Sequence, residues 1–304
     1  MGRSRKRAAE RRRRARRRRR LTVVVATGAL LLGAATAFAA HRLGGSEEKA
    51  AAGPPKPSPS APAGALDLTS RLTEVTSLAG SDKMSVAVLD TESGKWATYG
   101  TDVFDTASIV KVDILSTLLL QAQDAGRKLT AKERDLSTDM IENSDNDSTS
   151  TLWAGIGGAR GLDKANERLG LKETRGAEGT AWGLTQTTAV DQVRLLSSVF
   201  GKKSALAAES QAYIQDLMYH IAPDQDWGVS AAADPGRPTA LKNGWLQRSQ
   251  TKLWDINSVG RIEKGGRILY AAVLMNGCST EEAGIGLVEQ AARAAATEFV
   301  RTLT

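Results

Sequence analysis

Two side chains with complementary chemistry, Ser108 and Lys111, stand three residues apart near the middle of the chain. In residues 112–120, which follow them, apolar residues recur at helical spacing, and this predicts a helix buried on most of its surface. Residues three apart share a helix face, so the hydroxyl and the amine should point the same way. A serine needs a base before it attacks a carbonyl, and a lysine can be that base when burial or a second cation lowers its pKa. The pair therefore suits nucleophilic acyl transfer, although this spacing alone is more often that of a surface helix.

Two further polar triplets follow the pair in sequence order. Residues 144–146 (Ser-Asp-Asn) stand between two helical patterns, and residues 242–244 (Lys-Asn-Gly) end the first of three late strand patterns. Each triplet also has an ordinary structural explanation. The first could be a helix N-cap, and the second a strand end followed by a turn.

Taken together and in this order, the three motifs resemble the signature of the serine β-lactamases and penicillin-binding proteins, S-x-x-K, S-D-N and K-T-G. The resemblance is closest to the class A β-lactamases and covers about residues 80–302. It includes a hairpin before the serine, a Gly-Gly segment at 157–158, a Thr-Arg pair at 174–175 and a strand at 254–260. The resemblance implies the fold of that superfamily and an acyl-enzyme formed with a β-lactam or an acyl-D-alanyl-type peptide.

The resemblance also implies a role for each matching residue. Ser108 would be the acylated nucleophile, and Lys111 its partner and base. Ser144 would relay a proton toward the leaving nitrogen, while Lys242 would supply positive potential for a substrate carboxylate and lower the pKa of Lys111. The remaining positions would orient the substrate or bind the oxyanion: Asn146, Asn243, Gly244 and Trp245. For the oxyanion, the donors would be the backbone N–H groups of Ser108 and Trp245.

The sequence departs from the class A pattern where those enzymes hydrolyse the acyl-enzyme. That step uses a glutamate in a long loop after the Thr-Arg pair, but residues 176–183 form a much shorter segment without an E-x-x-L-N pattern. Glu178 is the nearest carboxylate, so it is the weak candidate for a deacylating base. In addition, Asn243 replaces the usual hydroxyl residue, which weakens the expected carboxylate contact.

Few residues of this chain could serve a different catalytic mechanism. His220 is the one histidine outside the N-terminal region and lacks a nucleophile elbow, so a Ser-His-Asp triad is disfavoured and a packed or helix-end histidine is expected. The single Cys278 is expected to be a small buried residue. Because no Cys/His/carboxylate cluster has metal-ligand spacing, we expect no metal and no cofactor.

The elements that must position these residues predict an α+β domain. A helical pattern at 66–78 precedes two strand patterns joined by a turn at 91–94, and helical patterns with glycine breaks fill 129–200. Three late strand patterns and a closing helix at 281–302 complete the chain. We therefore predict a five-stranded, mainly antiparallel sheet flanked by helices, with a helical lobe.

The N-terminal region has a different character. Residues 1–20 contain 13 basic side chains and one acidic one, so the rest of the chain has 28 basic against 33 acidic side chains, a net charge of −5. The positive net charge of the chain therefore comes from the tail. Because the rest of the chain is mildly acidic, we expect no nucleic-acid binding by the domain. Residues 21–40 are uncharged and suit a membrane-spanning helix or a signal segment cleaved near Ala39. The tail would stay cytoplasmic, residues 41–64 would be a Pro-rich linker, and residues 65–304 would be the extracytoplasmic domain.

Three functions remain open at this point. The favoured one is an exported or membrane-tethered serine hydrolase that acylates Ser108 and deacylates slowly. A second is a true class A-type β-lactamase that uses Glu178 or another group to activate water. The third is a catalytically weak envelope module that binds peptidoglycan or a partner.

Overall fold

The structure, a computed structural model, describes residues 60–79 and 83–304. The predicted tail at 1–20, the apolar segment at 21–40 and most of the predicted linker at 41–64 lie outside the described residues. No helix within the described ranges combines the length and the apolarity that crossing a bilayer requires.

Strands and helices are interleaved along the described chain. The strands are β1 Leu66–Asp67, β2 Lys83–Asp90, β3 Trp96–Tyr99, β4 Phe104–Asp105, β5 Gln186–Thr187, β6 Ala240–Gln247, β7 Trp254–Lys264 and β8 Arg267–Cys278. The helices are α1 Thr69–Ala79, α2 Val110–Asp124, α3 Ala131–Glu142, α4 Asn146–Gly155, α5 Gly158–Leu169, α6 Ala189–Phe200, α7 Ala208–Tyr219 and α8 Glu281–Leu303. Short 3-10 turns include Ala107–Ile109 before α2 and Trp182–Leu184 before β5.

The main sheet has six strands in the order β1-β3-β2-β8-β7-β6, so the prediction of five strands is wrong by one. Strands β2, β3, β6, β7 and β8 pair antiparallel as predicted, and the extra strand β1 pairs parallel to β3. The sequence pattern assigned Leu66 to the first helix. Instead, the Asp67 carboxylate accepts a hydrogen bond from the Thr69 backbone at 2.8 Å, and the helix begins only at Thr69.

The sheet lies between two hydrophobic cores, and the alternation of side chains along its strands divides them. On β2, Val86 and Val88 face the core shared with α1 and α8, whereas Ala87 faces the core of the helical lobe. This period of two is what a strand buried on both faces produces. The helical lobe therefore covers one face of the sheet and the terminal helices cover the other.

Helix α2 is the centre of the lobe. Twelve of its 15 residues are buried, as the apolar pattern predicts, so it is packed on nearly every side. The 3-10 turn Ala107–Ile109 runs directly into this helix. The residues at the start of α2 are consequently held by the most buried helix of the lobe.

Candidate active site

Ser108 lies in the tight turn that precedes α2. Ala107, just before it, has a φ of 46°, a left-handed conformation that costs energy for a residue with a side chain. The turn is tied down because the Thr106 backbone N–H donates to the Thr185 carbonyl at 2.8 Å. Ser108 itself is only partly buried. The strained turn therefore presents the Ser108 hydroxyl at a fixed place at the edge of the lobe.

Lys111 is completely buried, and its amine makes three polar contacts. It donates to the Ser144 carbonyl at 2.8 Å and to Asn146 Oδ1 at 2.9 Å, and it lies 3.0 Å from the Ser144 hydroxyl. Burial, and after it the charge of the neighbouring Lys242, lower the pKa of Lys111 to about 6, although Asp145 opposes the shift. Lys111 is therefore mostly neutral at pH 7, the state in which an amine can accept a proton.

Lys242 approaches the same serine from the sheet. Its amine lies 3.1 Å from the Ser144 hydroxyl, 3.3 Å from Gln225 Oε1 and 3.2 Å from the Asn243 carbonyl. The side chain is completely buried, and this burial lowers the pKa of Lys242 to about 7. One serine hydroxyl thus connects two buried amines, one from α2 and one from β6. Ser144 is held there with a φ of 53°, a second strained backbone in the site.

Residues 242–244 do not end a strand, so that part of the sequence prediction is wrong. Strand β6 continues to Gln247, and Gly244 lies inside it. A Cβ built on Gly244 would be 2.7 Å from the Ser108 backbone nitrogen and 2.9 Å from that of Ile109. Glycine is therefore needed for the close approach of the edge strand to the nucleophile turn rather than for a turn.

The two predicted oxyanion donors belong to the segments that approach each other at Gly244. Because β6 is an edge strand, alternate backbone N–H groups point away from β7 and are free of sheet pairing. Trp245 follows Gly244 directly, and the Gly244 contact brings β6 against the Ser108 backbone. The Trp245 side chain packs edge-on against Trp227, with ring centroids 5.9 Å apart.

The two asparagines of the predicted site differ in their surroundings. Asn146 is exposed in the first turn of α4 and contacts Lys111, while Asp145 caps the helix by accepting from the Ser148 backbone at 2.8 Å. Asn243 is buried, and its amide donates to the carbonyls of Gln225 and Trp227 at 2.8 and 2.9 Å. Both amide hydrogens of Asn243 are thus used within the protein, which weighs against the expected contact with a substrate carboxylate.

Glu178 makes no hydrogen bond to either lysine among the described residues. It is exposed and lines a surface groove of about 570 Å³, together with residues such as Ser150 and Trp182. Among the described residues, no carboxylate hydrogen-bonds to Ser108 or Lys111. The short segment at 176–183 therefore leaves the nucleophile without a directly bound carboxylate.

The structure also shows the surroundings of His220 and Cys278, the histidine and the cysteine considered in the sequence analysis. His220 is exposed at the end of α7, where its Nδ1 lies 2.7 Å from the Asp216 carbonyl. Cys278 is buried, as predicted, and burial raises the pKa of its thiol to about 11.

Three residues of the site were not found from the sequence. Gln225 contacts Lys242, Trp182 lies over Lys111, and Asn257 of β7 donates to the Asp105 and Thr106 carbonyls at 2.8 and 3.1 Å. Each is separated from the residue that it contacts by more than 16 positions in the sequence, so no local sequence pattern identifies it. The one usable signal was Asn257, a polar residue at a buried position of a predicted strand.

Comparison with known proteins identifies the family and the fold. The model of the beta-lactamase enzyme family matches residues 120–299, more than half of the chain. The chain belongs to the beta-lactamase enzyme family. The matched range begins after Ser108 and Lys111, so it establishes the family without covering the nucleophile turn.

Curated proteins similar to the chain include mycobacterial ones. A protein named "Putative lipoprotein LppW" in Mycobacterium tuberculosis is 26% identical over 203 residues, and the match covers 64% of each of the two chains. The protein of the same name in Mycobacterium bovis gives the same values. The chain thus spans just under two thirds of the length of these relatives.

Solved β-lactamase structures share the fold. A β-lactamase from Burkholderia vietnamiensis superposes with a TM-score of 0.67 at 19% identity, covering 76% of this chain and 96% of the other. A class A β-lactamase from Mycobacterium abscessus gives a TM-score of 0.66 at 20% identity, covering 76% and 99%. At these identities the likeness establishes a β-lactamase-like α+β fold.

Proposed function

We propose that the chain is a serine acyl-transfer enzyme of the cell envelope that forms an acyl-enzyme at Ser108. The observation that carries the proposal is the convergence of two buried lysines, Lys111 and Lys242, on the hydroxyl of Ser144, beside the Ser108 turn. Burying two amines that share one hydroxyl costs free energy of folding, so stability alone does not explain why they are there. They suit a site that must move protons.

The hydrogen-bond partners of Lys111 support its role as base. A neutral amine has two N–H donors and one lone pair, and two of the partners, the Ser144 carbonyl and Asn146 Oδ1, can only accept. These two acceptors use both N–H groups of the neutral amine. Its lone pair is then available to a hydroxyl proton, from Ser108 or from Ser144.

The acylation step follows from these positions. The lone pair of Lys111 takes the Ser108 proton while the hydroxyl oxygen adds to the substrate carbonyl carbon, and the negative oxygen is held by the backbone N–H groups of Ser108 and Trp245. The C–N bond then breaks. Ser144 passes a proton to the leaving nitrogen and is reprotonated from the adjacent amines. Neither a metal nor a cofactor takes part in this sequence.

The substrate class is a β-lactam or an acyl-D-alanyl-type peptide, such as peptidoglycan provides. Each offers an amide carbonyl for Ser108, and the typical carboxylate of such compounds would be drawn by the positive potential of Lys242 when that amine is protonated. The solved β-lactamases with this fold support the choice of β-lactams as the first substrates to test.

Slow deacylation distinguishes this proposal from a true β-lactamase. Glu178, the candidate base, is exposed in the neighbouring groove and hydrogen-bonds to neither Ser108 nor Lys111 in the described structure. A general base must lie within hydrogen-bond distance of the water that attacks the acyl carbon. A catalytically weak binding module would need only the pocket, and it would bind equally well without the Ser108 hydroxyl.

The domain organisation and location are proposed on the sequence pattern. Residues 21–40 would anchor the protein in the cytoplasmic membrane or be cleaved after export, residues 41–64 would be a linker, and residues 65–304 would form the catalytic domain. The name of the mycobacterial relatives, which describes a lipoprotein, supports a place in the cell envelope.

A fluorescent penicillin tests the proposal. The wild-type protein should be labelled covalently, and Ser108→Ala should not be labelled. Ser204→Ala, a substitution of a serine far along the chain from the motifs, serves as the matched control and should be labelled as the wild type. Absence of label on the wild type, or equal label on Ser108→Ala, would overturn the proposal.

A further inference from the structure

One aromatic side chain closes the site beside Lys111. The Trp182 ring centroid lies 5.1 Å from the Lys111 amine, and the indole N–H donates to the Ser150 hydroxyl at 3.2 Å. Lys111 is completely buried even though the neighbouring Ser108 is only partly buried. The indole is therefore part of what separates the amine from solvent.

The position of Trp182 is tied to the nucleophile turn. Trp182 opens the 3-10 turn Trp182–Leu184, and the Thr106 hydroxyl donates to the Gly183 carbonyl at 3.4 Å. In addition, the Thr106 backbone N–H donates a hydrogen bond to the Thr185 carbonyl at 2.8 Å. The segment that carries the indole and the segment that carries Ser108 thus form one hydrogen-bonded unit.

The same residue also borders the groove of Glu178. This groove of about 570 Å³ is lined by Trp182 along with Ser150 and Glu178, which is the one carboxylate that lines it in the described part of the chain. Trp182 therefore contacts the buried amine and also borders the solvent-filled groove. A smaller side chain at this position would join the two spaces.

We propose that Trp182 determines the lifetime of the acyl-enzyme by keeping water from the Lys111 side of the site. This inference rests on the proposed acylation of Ser108. In the hydrolysis that it limits, a water oxygen adds to the ester carbonyl carbon, the bond from that carbon to the Ser108 oxygen breaks, and one water proton returns to that oxygen. Trp182 is a positioning residue, because it acts on the access of water and not on the reacting atoms.

Measuring acylation and deacylation separately tests the role of Trp182. The full-length protein and its variants are acylated with benzylpenicillin, freed of excess compound, and followed by intact-mass spectrometry. Trp182→Ala should shorten the half-life of the adduct by about tenfold or more, whatever the change in its acylation rate, because the half-life is followed after the excess compound has been removed. Trp182→Phe keeps an aromatic ring and should keep the half-life within about threefold of the wild type.

Matched variants separate this role from general loosening. Trp96→Ala removes a half-buried tryptophan from β3 and should leave the half-life unchanged. If Trp182→Ala does not fold, Trp182→Leu takes its place and should also shorten the half-life. An unchanged half-life in the folded variant, or an equal shortening in Trp96→Ala, contradicts the inference. A wild type that forms no adduct overturns the proposed acylation itself, which a change in half-life alone does not.

Discussion

The protonation states of Lys111 and Lys242 should set the pH dependence of the acylation rate. Burial and the second amine at Lys242 hold the pKa of Lys111 at about 6, whereas burial holds that of Lys242 at about 7. The base must be neutral, and the amine that attracts a carboxylate must be charged. These two requirements are met together only in a narrow range around pH 6 to 7.

The first prediction concerns the pH dependence of acylation. The second-order rate constant for reaction with a penicillin should rise as the pH passes about 6, because Lys111 loses its proton, and fall above about 7, because Lys242 does. Stopped-flow measurements between pH 5 and pH 9 would give this profile. Lys111→Ala should lower the rate by about 10²- to 10⁴-fold, the usual contribution of a general base. A rate independent of pH across this range would contradict the assigned roles.

A second prediction at the residue scale concerns Gly244. A Cβ there would lie 2.7 Å from the Ser108 nitrogen, so Gly244→Ala should push β6 away from the nucleophile turn and reduce acylation by at least about tenfold. Gly286→Ala is the control, because a Cβ at that helical position meets nothing within 4 Å and should leave the rate unchanged. Equal rates for the two variants would show that the close approach at Gly244 is unimportant.

The sequence predicted which residues lie together better than it predicted what surrounds them. Ser108, Lys111, Ser144 and Lys242 were chosen by motif, and the structure brings the last three into direct contact beside the Ser108 turn. Asn243 fits less well, because its donors are used by backbone carbonyls that the sequence cannot place. Contacts of this kind depend on how distant segments meet.

At the scale of the element, α2 contains a buried acid with no evident catalytic use. Asp113 accepts a hydrogen bond from Asn166 of α5 at 3.0 Å, and its other oxygen has no partner among the described residues. The pKa of Asp113 is raised to about 8, mainly by burial and also by the nearby acids Asp191 and Asp163, while the Asn166 hydrogen bond opposes the shift. The folded protein therefore keeps this acid protonated at neutral pH.

This burial makes stability depend on pH. The pKa of Asp113 is higher in the folded chain than in the unfolded one, so the folded chain holds the proton of this carboxyl over a pH range in which the unfolded chain releases it. The contribution of this proton to the stability of the fold is therefore complete only below about pH 4, where both states are protonated. As the pH rises toward 8, the free energy of unfolding should fall by up to about 1.4 kcal/mol per pH unit from this group.

The corresponding prediction is made for Asp113→Asn. The amide cannot ionise, and it can donate to Asn166 Oδ1, which has no partner in the described structure. The variant should gain stability over the wild type progressively between pH 5 and pH 8, measured by urea unfolding at each pH. Parallel curves for the two proteins would mean that Asp113 does not titrate in this range.

Element boundaries show what local patterns reveal and what they do not. The periodicity of residues 112–120 predicts the buried α2, because the whole helix is packed and each turn repeats the signal. Strand β1 was missed because two residues carry no periodicity and pair only with distant β3. The extent of β6 was misjudged because Gly244 resembles a turn residue, although its lack of a side chain is required by the Ser108 backbone.

At the scale of the whole molecule, the fold explains why the site lies where it does. The six-stranded sheet separates two cores, and its edge strand β6 meets the start of α2 from the helical lobe. A site built between an edge strand and a lobe can combine free backbone donors of the strand with buried amines from both the strand and the lobe. The order of elements in the sequence predicted this arrangement as an α+β fold, but not the sixth strand.

The fourth prediction concerns export. If residues 21–40 carry the domain across the membrane, a protease added to intact cells with a permeabilised wall should degrade residues 60–304. Deleting residues 1–40 should leave the domain in the cytoplasm and protected. A full-length protein as resistant as a cytoplasmic marker would contradict the proposed location.

Covalent acylation of Ser108 is the central claim, and intact-mass spectrometry tests it most directly. After incubation with benzylpenicillin, the full-length protein should gain the mass of one penicillin, peptide mapping should place this mass on the peptide that contains Ser108, and the adduct should persist for longer than its formation takes. Ser108→Ala should gain no mass. A wild-type protein whose mass stays unchanged at every time point, while the penicillin remains intact, would contradict the account.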